Sequence, residues 1–167
     1  RVLFRSYEIN MQTVIIRNNI VINFDEKLEY SPDFDLFMQI CSENEVGVIE
    51  KPLVKYRRLK NSLSSSKKNR WSVEIKYTLD KIFLKHPRLK LRYKKEVKLA
   101  YAKASYYSAL YLIDIGQRHK AIRALSKYKY SSILFFFLFL LAFFPSWIWN
   151  QIHRLKEYGN YNTNWKR

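Results

Sequence analysis

Between Lys129 and Arg154 the chain carries no formal charge, and the centre of this stretch is Ile133-Leu134-Phe135-Phe136-Phe137-Leu138-Phe139-Leu140-Leu141-Ala142-Phe143-Phe144. A helix built from it is apolar on every face, so it has no side suited to water. About 20 predominantly apolar residues are needed to cross a bilayer, and this run is just long enough. Tyr130 at one end and Trp147 with Trp149 at the other stand where interfacial aromatics belong. Pro145 would kink or end the helix. The expectation is a membrane-associated segment over 130–151, spanning or lying in the bilayer, with a polar tail over 152–167.

Charge supports that reading. The formal net charge is +17, but it is unevenly spread: residues 1–50 carry −5, residues 51–100 carry +14, and residues 101–167 carry +8. A basic block beside an apolar segment is attracted to anionic lipid, by about 1 kcal/mol per basic residue near the surface. It also matches the excess of Lys and Arg on the cytoplasmic side of membrane segments. No recognisable DNA- or RNA-binding motif accompanies the basic middle, so nucleic acid is not an expected partner.

Cys41 is the single cysteine, which excludes a disulfide within the chain and suits a reducing compartment. It reads as a small buried hydrophobe. His86, His119 and His153 lack ligand spacing, so no Cys/His metal site is expected.

The first half reads as short strands around one helix. Met11-Gln12-Thr13-Val14-Ile15-Ile16-Arg17 is rich in β-branched residues, Val46-Gly47-Val48-Ile49 resembles a buried strand, and Pro52-Leu53-Val54-Lys55-Tyr56-Arg57 an edge strand. Pro32 suits the first turn of a helix running from about Asp33 to Cys41. The serine-rich stretch 61–69 is a boundary. Beyond it, apolar residues at Trp71, Ile75, Leu79, Ile82 and Phe83 keep a helical period until His86-Pro87 breaks it. Two more helices follow, one over about 92–115 ending at Gly116 and one over about 118–127. Alanines at 100, 102, 104 and 121 suggest close antiparallel packing.

Chemistry concentrates in Phe24-Asp25-Glu26-Lys27-Leu28-Glu29-Tyr30-Ser31-Pro32-Asp33-Phe34-Asp35-Leu36. Carboxylates that interrupt an apolar pattern stay near the core while keeping charge, which is one way to build a general base. From Gln12 to Ser64 the chain resembles the C-terminal part of the catalytic domain of family 2 glycosyltransferases. The resemblance rests on Val14-Ile15-Ile16-Arg17, the Phe24-Asp25-Glu26 triplet, the turn Pro32-Asp33-Phe34-Asp35-Leu36, then Pro52 to Arg57 and Asn61-Ser62-Leu63-Ser64, in that order.

The resemblance implies an α/β fold: a fragment of a GT-A, Rossmann-like nucleotide-diphospho-sugar transferase domain over 1–61. A basic α-helical extension over 62–129 and the C-terminal membrane-associated helix would follow it. It also implies an inverting, non-processive transferase in cell-surface polysaccharide biosynthesis. Asp33 matches the family's general base, which takes the proton of the acceptor hydroxyl. Asp35 and Arg57 are the implied substrate-side residues. The bland alternatives are a helix N-cap for Asp33, support of the turn for Asp35, and a surface side chain for Arg57.

Several positions depart from the family pattern. Pro32 replaces the glutamate that precedes the base, and Leu59 stands where a histidine often follows the arginine. A divalent cation, Mg or Mn, is implied by the family, but its DxD ligands do not precede the Phe24 triplet. Asp33-Phe34-Asp35 has the letters at the acceptor position and is assigned no metal. Arg70-Trp71 supplies only the end of the QxxRW motif of processive enzymes, with Lys67 in place of its glutamine.

The chain therefore reads as a fragment whose donor-binding half lies upstream and which is inactive alone. The expected partners are a nucleotide-sugar, a glycan or lipid-linked acceptor and the cell membrane, with the catalytic part on the cytoplasmic side. The competing reading is a non-enzymatic membrane-surface binding protein that uses only the basic helices and the apolar anchor.

Overall fold

The computed structural model describes residues 4, 7, 9–49, 51, 54, 55 and 68–153. Among these there is no strand. Short 3-10 turns occur at Met11–Thr13 and Lys129–Ser131, and the remaining regular structure is α-helix: α1 (Pro32–Glu43), α2 (Lys68–Lys85), α3 (Pro87–Arg92), α4 (Lys94–Asp114), α5 (Arg118–Ser126) and α6 (Ile133–Leu141). Residues 146–153 form a further helix, α7.

The helix ends follow local chemistry. Pro32 opens α1, where a missing N–H costs nothing. Pro87 ends the run of α2 and opens α3, because its ring and absent N–H cannot continue a helix. Gly116, at φ 77°, closes α4 with the bond pair that defines a Schellman cap: Gln117 N–H to Leu112 C=O at 2.7 Å and Gly116 N–H to Ile113 C=O at 3.0 Å. Ser132 caps α6 by accepting the Phe135 N–H.

Two buried clusters hold the helices together, with α4 common to both. In the first, Phe34 and Met38 of α1 meet Ile75, Leu79 and Ile82 of α2, with Ala100 and Ala104 of α4 beneath them. In the second, Ala109 and Ile113 of α4 meet Ala121 and Leu125 of α5, and Ala142 and Trp149 close the cluster. The small alanines let the helix backbones approach closely. Truncating a fully buried side chain such as Leu79 to alanine costs roughly 2–5 kcal/mol.

Two expectations are corrected. The α/β, Rossmann-like fold is not present among the described residues: residues 14–17 form no regular structure and pair with no strand, and Ile15 is 93% exposed. Residues 46–49 are likewise unpaired, and Val48 at 81% exposure is no buried strand residue. A β-branched run forms a strand only where a neighbour accepts its ladder, so composition alone misled. Of the expected edge strand, residues 54 and 55 are described and are not strand; Arg57 lies outside the described residues.

The single continuous helix expected over 130–151 is also corrected. The apolar run divides into α6 and α7 around a turn at 142–145, and no helix among the described residues is long and apolar enough to cross a membrane. Pro145 supplies the reason: its carbonyl accepts the Ile148 and Trp149 N–H groups at the start of α7, and it cannot donate back into α6. The helices expected over 33–41, 71–84, 92–115 and 118–127 are observed, with ends shifted by a few residues.

Candidate functional site

The entry to α1 is held by α2. Glu74, itself buried, accepts the backbone N–H groups of Glu29 (3.2 Å), Tyr30 (2.9 Å) and Ser31 (2.8 Å), and the Ser31 hydroxyl at 3.1 Å. These N–H groups lie at and just before the N-cap of α1, and Glu74 gives them an acceptor. Ser31 occupies the N-cap position, but its hydroxyl donates to Glu74 and makes no capping bond to the first turn, so α2 fixes the chain's entry into α1. The N-cap alternative for Asp33 is thereby not what is observed.

One helical turn of α2 further on, Asp35 is completely buried. Its oxygens accept from Thr78 Oγ1 (3.0 Å), Lys81 Nζ (2.6 Å) and Gln39 Nε2 (2.6 Å). Lys81 also reaches Asp25 at 2.9 Å, and Tyr77 donates to Asp25 at 3.0 Å. Burial disfavours the Lys81 ammonium, but the hydrogen bonds to Asp35 and Asp25 outweigh it and hold its pKa above the ordinary value. Lys81 in turn holds the Asp25 carboxyl down at about 2. A buried carboxylate needs such partners, since an unpaired one is very costly.

Asp33 belongs to different surroundings. It lines a cavity of about 680 Å³ bounded by the turn before α1 and by α2, α4, α6 and α7. Tyr30, Trp71, Tyr106 and Tyr107 furnish aromatic walls; Lys103 and His153 are polar groups on the same lining. The Tyr7 hydroxyl donates to Asp33 Oδ2 at 3.4 Å. Burial and the Asp33 carboxylate push the Tyr7 pKa well up, so Tyr7 stays a neutral donor. His153 stacks on Trp149 with centroids 4.5 Å apart and donates from Nδ1 to the Trp149 carbonyl at 2.7 Å.

The two aspartates of the Asp33-Phe34-Asp35 stretch therefore do not converge. Asp35 is committed to Thr78, Lys81 and Gln39, which leaves the pair unable to share an ion. Among the described residues no group of three or more His, Cys, Asp or Glu side chains could hold a metal. Asp25 braces its loop by accepting the Lys27 N–H at 3.1 Å, and Glu29 pairs with Arg70 at 2.8 Å on the surface. Cys41 is half-buried with its thiol pKa raised by burial, which fits a packing role. Arg57 and Leu59 lie outside the described residues.

The residues that sequence reasoning missed are Glu74, Thr78 and Lys81. Their spacing of four and three puts them on one face of α2, beside the apolar stripe. A polar stripe bordering a core face was the available signal. No protein-family model, curated protein or solved structure matches this chain.

Proposed function

We propose that this chain carries the acceptor side of an inverting sugar transferase, with Asp33 as the general base. The observation that carries the reading is the division of labour within one helical turn: Asp35 is consumed by structure, while Asp33 faces a cavity large enough for a sugar. Aromatic rings along the cavity wall suit the apolar faces of a pyranose.

The acceptor's hydroxyl oxygen attacks the anomeric carbon of a nucleotide-sugar. The bond from that carbon to the diphosphate oxygen breaks, and the hydroxyl proton passes to Asp33. A single displacement of this kind inverts the anomeric centre. Asp33 supplies proton removal; Tyr7, a neutral donor, steadies the carboxylate. None of the residues named here is assigned to the donor or to any Mg or Mn that it would require. Arg57 is a further contact to the substrate, and Asp35 supports the turn. A glycan or lipid-linked acceptor at the cytoplasmic face of the cell membrane fits the neighbouring apolar hairpin and points to cell-surface polysaccharide synthesis.

The test is transfer from a panel of nucleotide-sugars to membrane-extracted acceptors by the parent polypeptide that includes residues 1–167. Asp33→Asn is expected to lower kcat by about 10²- to 10⁴-fold with donor affinity retained. Unchanged turnover in that variant removes Asp33 from the mechanism.

A further inference from the structure

We propose that α6, the turn after it and the start of α7 bed in the surface of an anionic bilayer, parallel to the membrane plane. Asp33 and sugar transfer have no part in this proposal. Ile133, Phe137 and Leu140 lie at i, i+4 and i+7 on α6, and all three are exposed. Phe143 and Phe144 in the turn and Trp147 on α7 continue the exposed apolar surface. Exposed aromatic and aliphatic side chains gathered at this density mark a docking face rather than ordinary surface.

Geometry decides how such a face meets lipid. The nine residues of α6 extend about 14 Å, less than half of the roughly 30 Å hydrocarbon core. The chain then turns, and Trp149 is anchored in the protein core at 1% exposure while Trp147 stands out at 63%. The hairpin is thus held to the protein on one side and exposes apolar side chains on the other, so only a shallow contact with lipid is open to it.

Charge decides the occupant. Between Ile115 and His153 the chain bears Arg118, Lys120, Arg123, Lys127 and Lys129 and no acidic residue. A second copy would bring two such blocks of like charge together, on a chain of net +17. An anionic lipid surface complements them. Lys129 shows the arrangement at the boundary: its ammonium lies 5.0 Å from the ring centroids of both Tyr130 and Phe139, its stem following apolar surface to a charged tip.

The experiment is flotation of the full chain with phosphatidylcholine vesicles, with and without phosphatidylglycerol. Binding is expected with the anionic vesicles and is expected to fall about tenfold or more without phosphatidylglycerol. The triple variant Phe137→Ser, Phe144→Ser, Trp147→Ser, checked for native helicity by circular dichroism, should lose about tenfold or more of that binding. Should it misfold, Lys127→Gln with Lys129→Gln gives the second reading and should weaken binding by about tenfold. Brominated lipids should quench Trp147 most from shallow acyl positions, read as the difference from Trp147→Phe. Failure to float, flotation unaffected by both sets of variants, deepest quenching at the bilayer centre, or a stable solution dimer that shields Trp147 and does not float would each overturn the proposal.

Discussion

Asp33 and Asp35 stand about 200° apart around the first turn of α1, and the two carboxylates live in unlike environments. Asp35 is fully buried against α2, and Asp33 lines the aromatic cavity. Substitution should separate them. Asp35→Ala leaves Thr78 and Lys81 facing a void and is expected to destabilise by about 3 kcal/mol, at the low end for a broken buried pair because Lys81 keeps Asp25. Asp33→Asn should stay within about 0.5 kcal/mol of wild type. Urea unfolding of both variants checks this; equal losses would mean that the two side chains share one structural role.

That contrast shows what the sequence made legible. The acidic turn, the helix behind Pro32 and the stops at His86-Pro87 and Gly116 follow from residues whose local chemistry leaves little choice. The packing of α2 was legible too, since Trp71, Ile75, Leu79, Ile82 and Phe83 repeat at helical spacing. What failed depended on distant partners. Val14 to Arg17 and Val46 to Ile49 have strand composition, but nothing in the sequence says that no neighbouring strand will pair with them. The run from Ile133 to Trp149 is apolar throughout, and apolar residues pack equally well against lipid and against Ala109 or Ala121. Only Pro145 hinted that the chain turns back. For Asp35 the sequence offers a substrate-side role or support of the turn, and it hides the actual partners, because Thr78 and Lys81 are 43 and 46 residues away.

Glu74 is the second structural acid, and removing it tests whether α2 organises the turn. Glu74→Ala takes the acceptor from three backbone N–H groups and the Ser31 hydroxyl at a buried position. A cost of about 2–3 kcal/mol is expected for losing bonds to a charged group. Hydrogen exchange locates the effect: amides of Glu29, Tyr30 and Ser31 should lose protection before those of α4. Unchanged protection there would show that the turn holds itself.

The Lys81 bridge predicts stability loss at both extremes of pH. Lys81 lowers the Asp25 carboxyl from its ordinary 3.8 to about 2. A group depressed in the folded state contributes stability above its unfolded pKa and loses it as pH falls through the folded value. The acid loss therefore falls between about 4 and about 2. Lys81 is shifted upward despite its burial, so its contribution is complete below the unfolded value and disappears as pH rises beyond the ordinary 10.5. Asp25→Asn should flatten the acid slope between these limits and spare most of the alkaline one, which Asp35 sustains. Thermal unfolding midpoints across both ranges provide the measurement; an acid slope identical to wild type would remove Asp25 from the account.

Trp147 and Trp149, two positions apart on α7, offer the sharpest test of how the apolar hairpin is tethered. Trp149 packs on Ala142 and Tyr106 and is stacked by His153, whose Nδ1 bond to the Trp149 carbonyl fixes the last turn. Trp149→Ala should cost about 3–5 kcal/mol through the cavity it leaves and release α7 from α4. Trp149→Phe should cost clearly less. The buried indole N–H has no hydrogen-bond partner among the described residues, so phenylalanine forfeits no bond and removes an unsatisfied donor. Trp147→Ala, on the exposed side, should change stability by no more than about 0.5 kcal/mol. Denaturant midpoints for the three variants decide the matter: a Trp147→Ala loss as large as that of Trp149→Ala would mean that the exposed face is itself part of the folded core, and would leave the hairpin no surface to present.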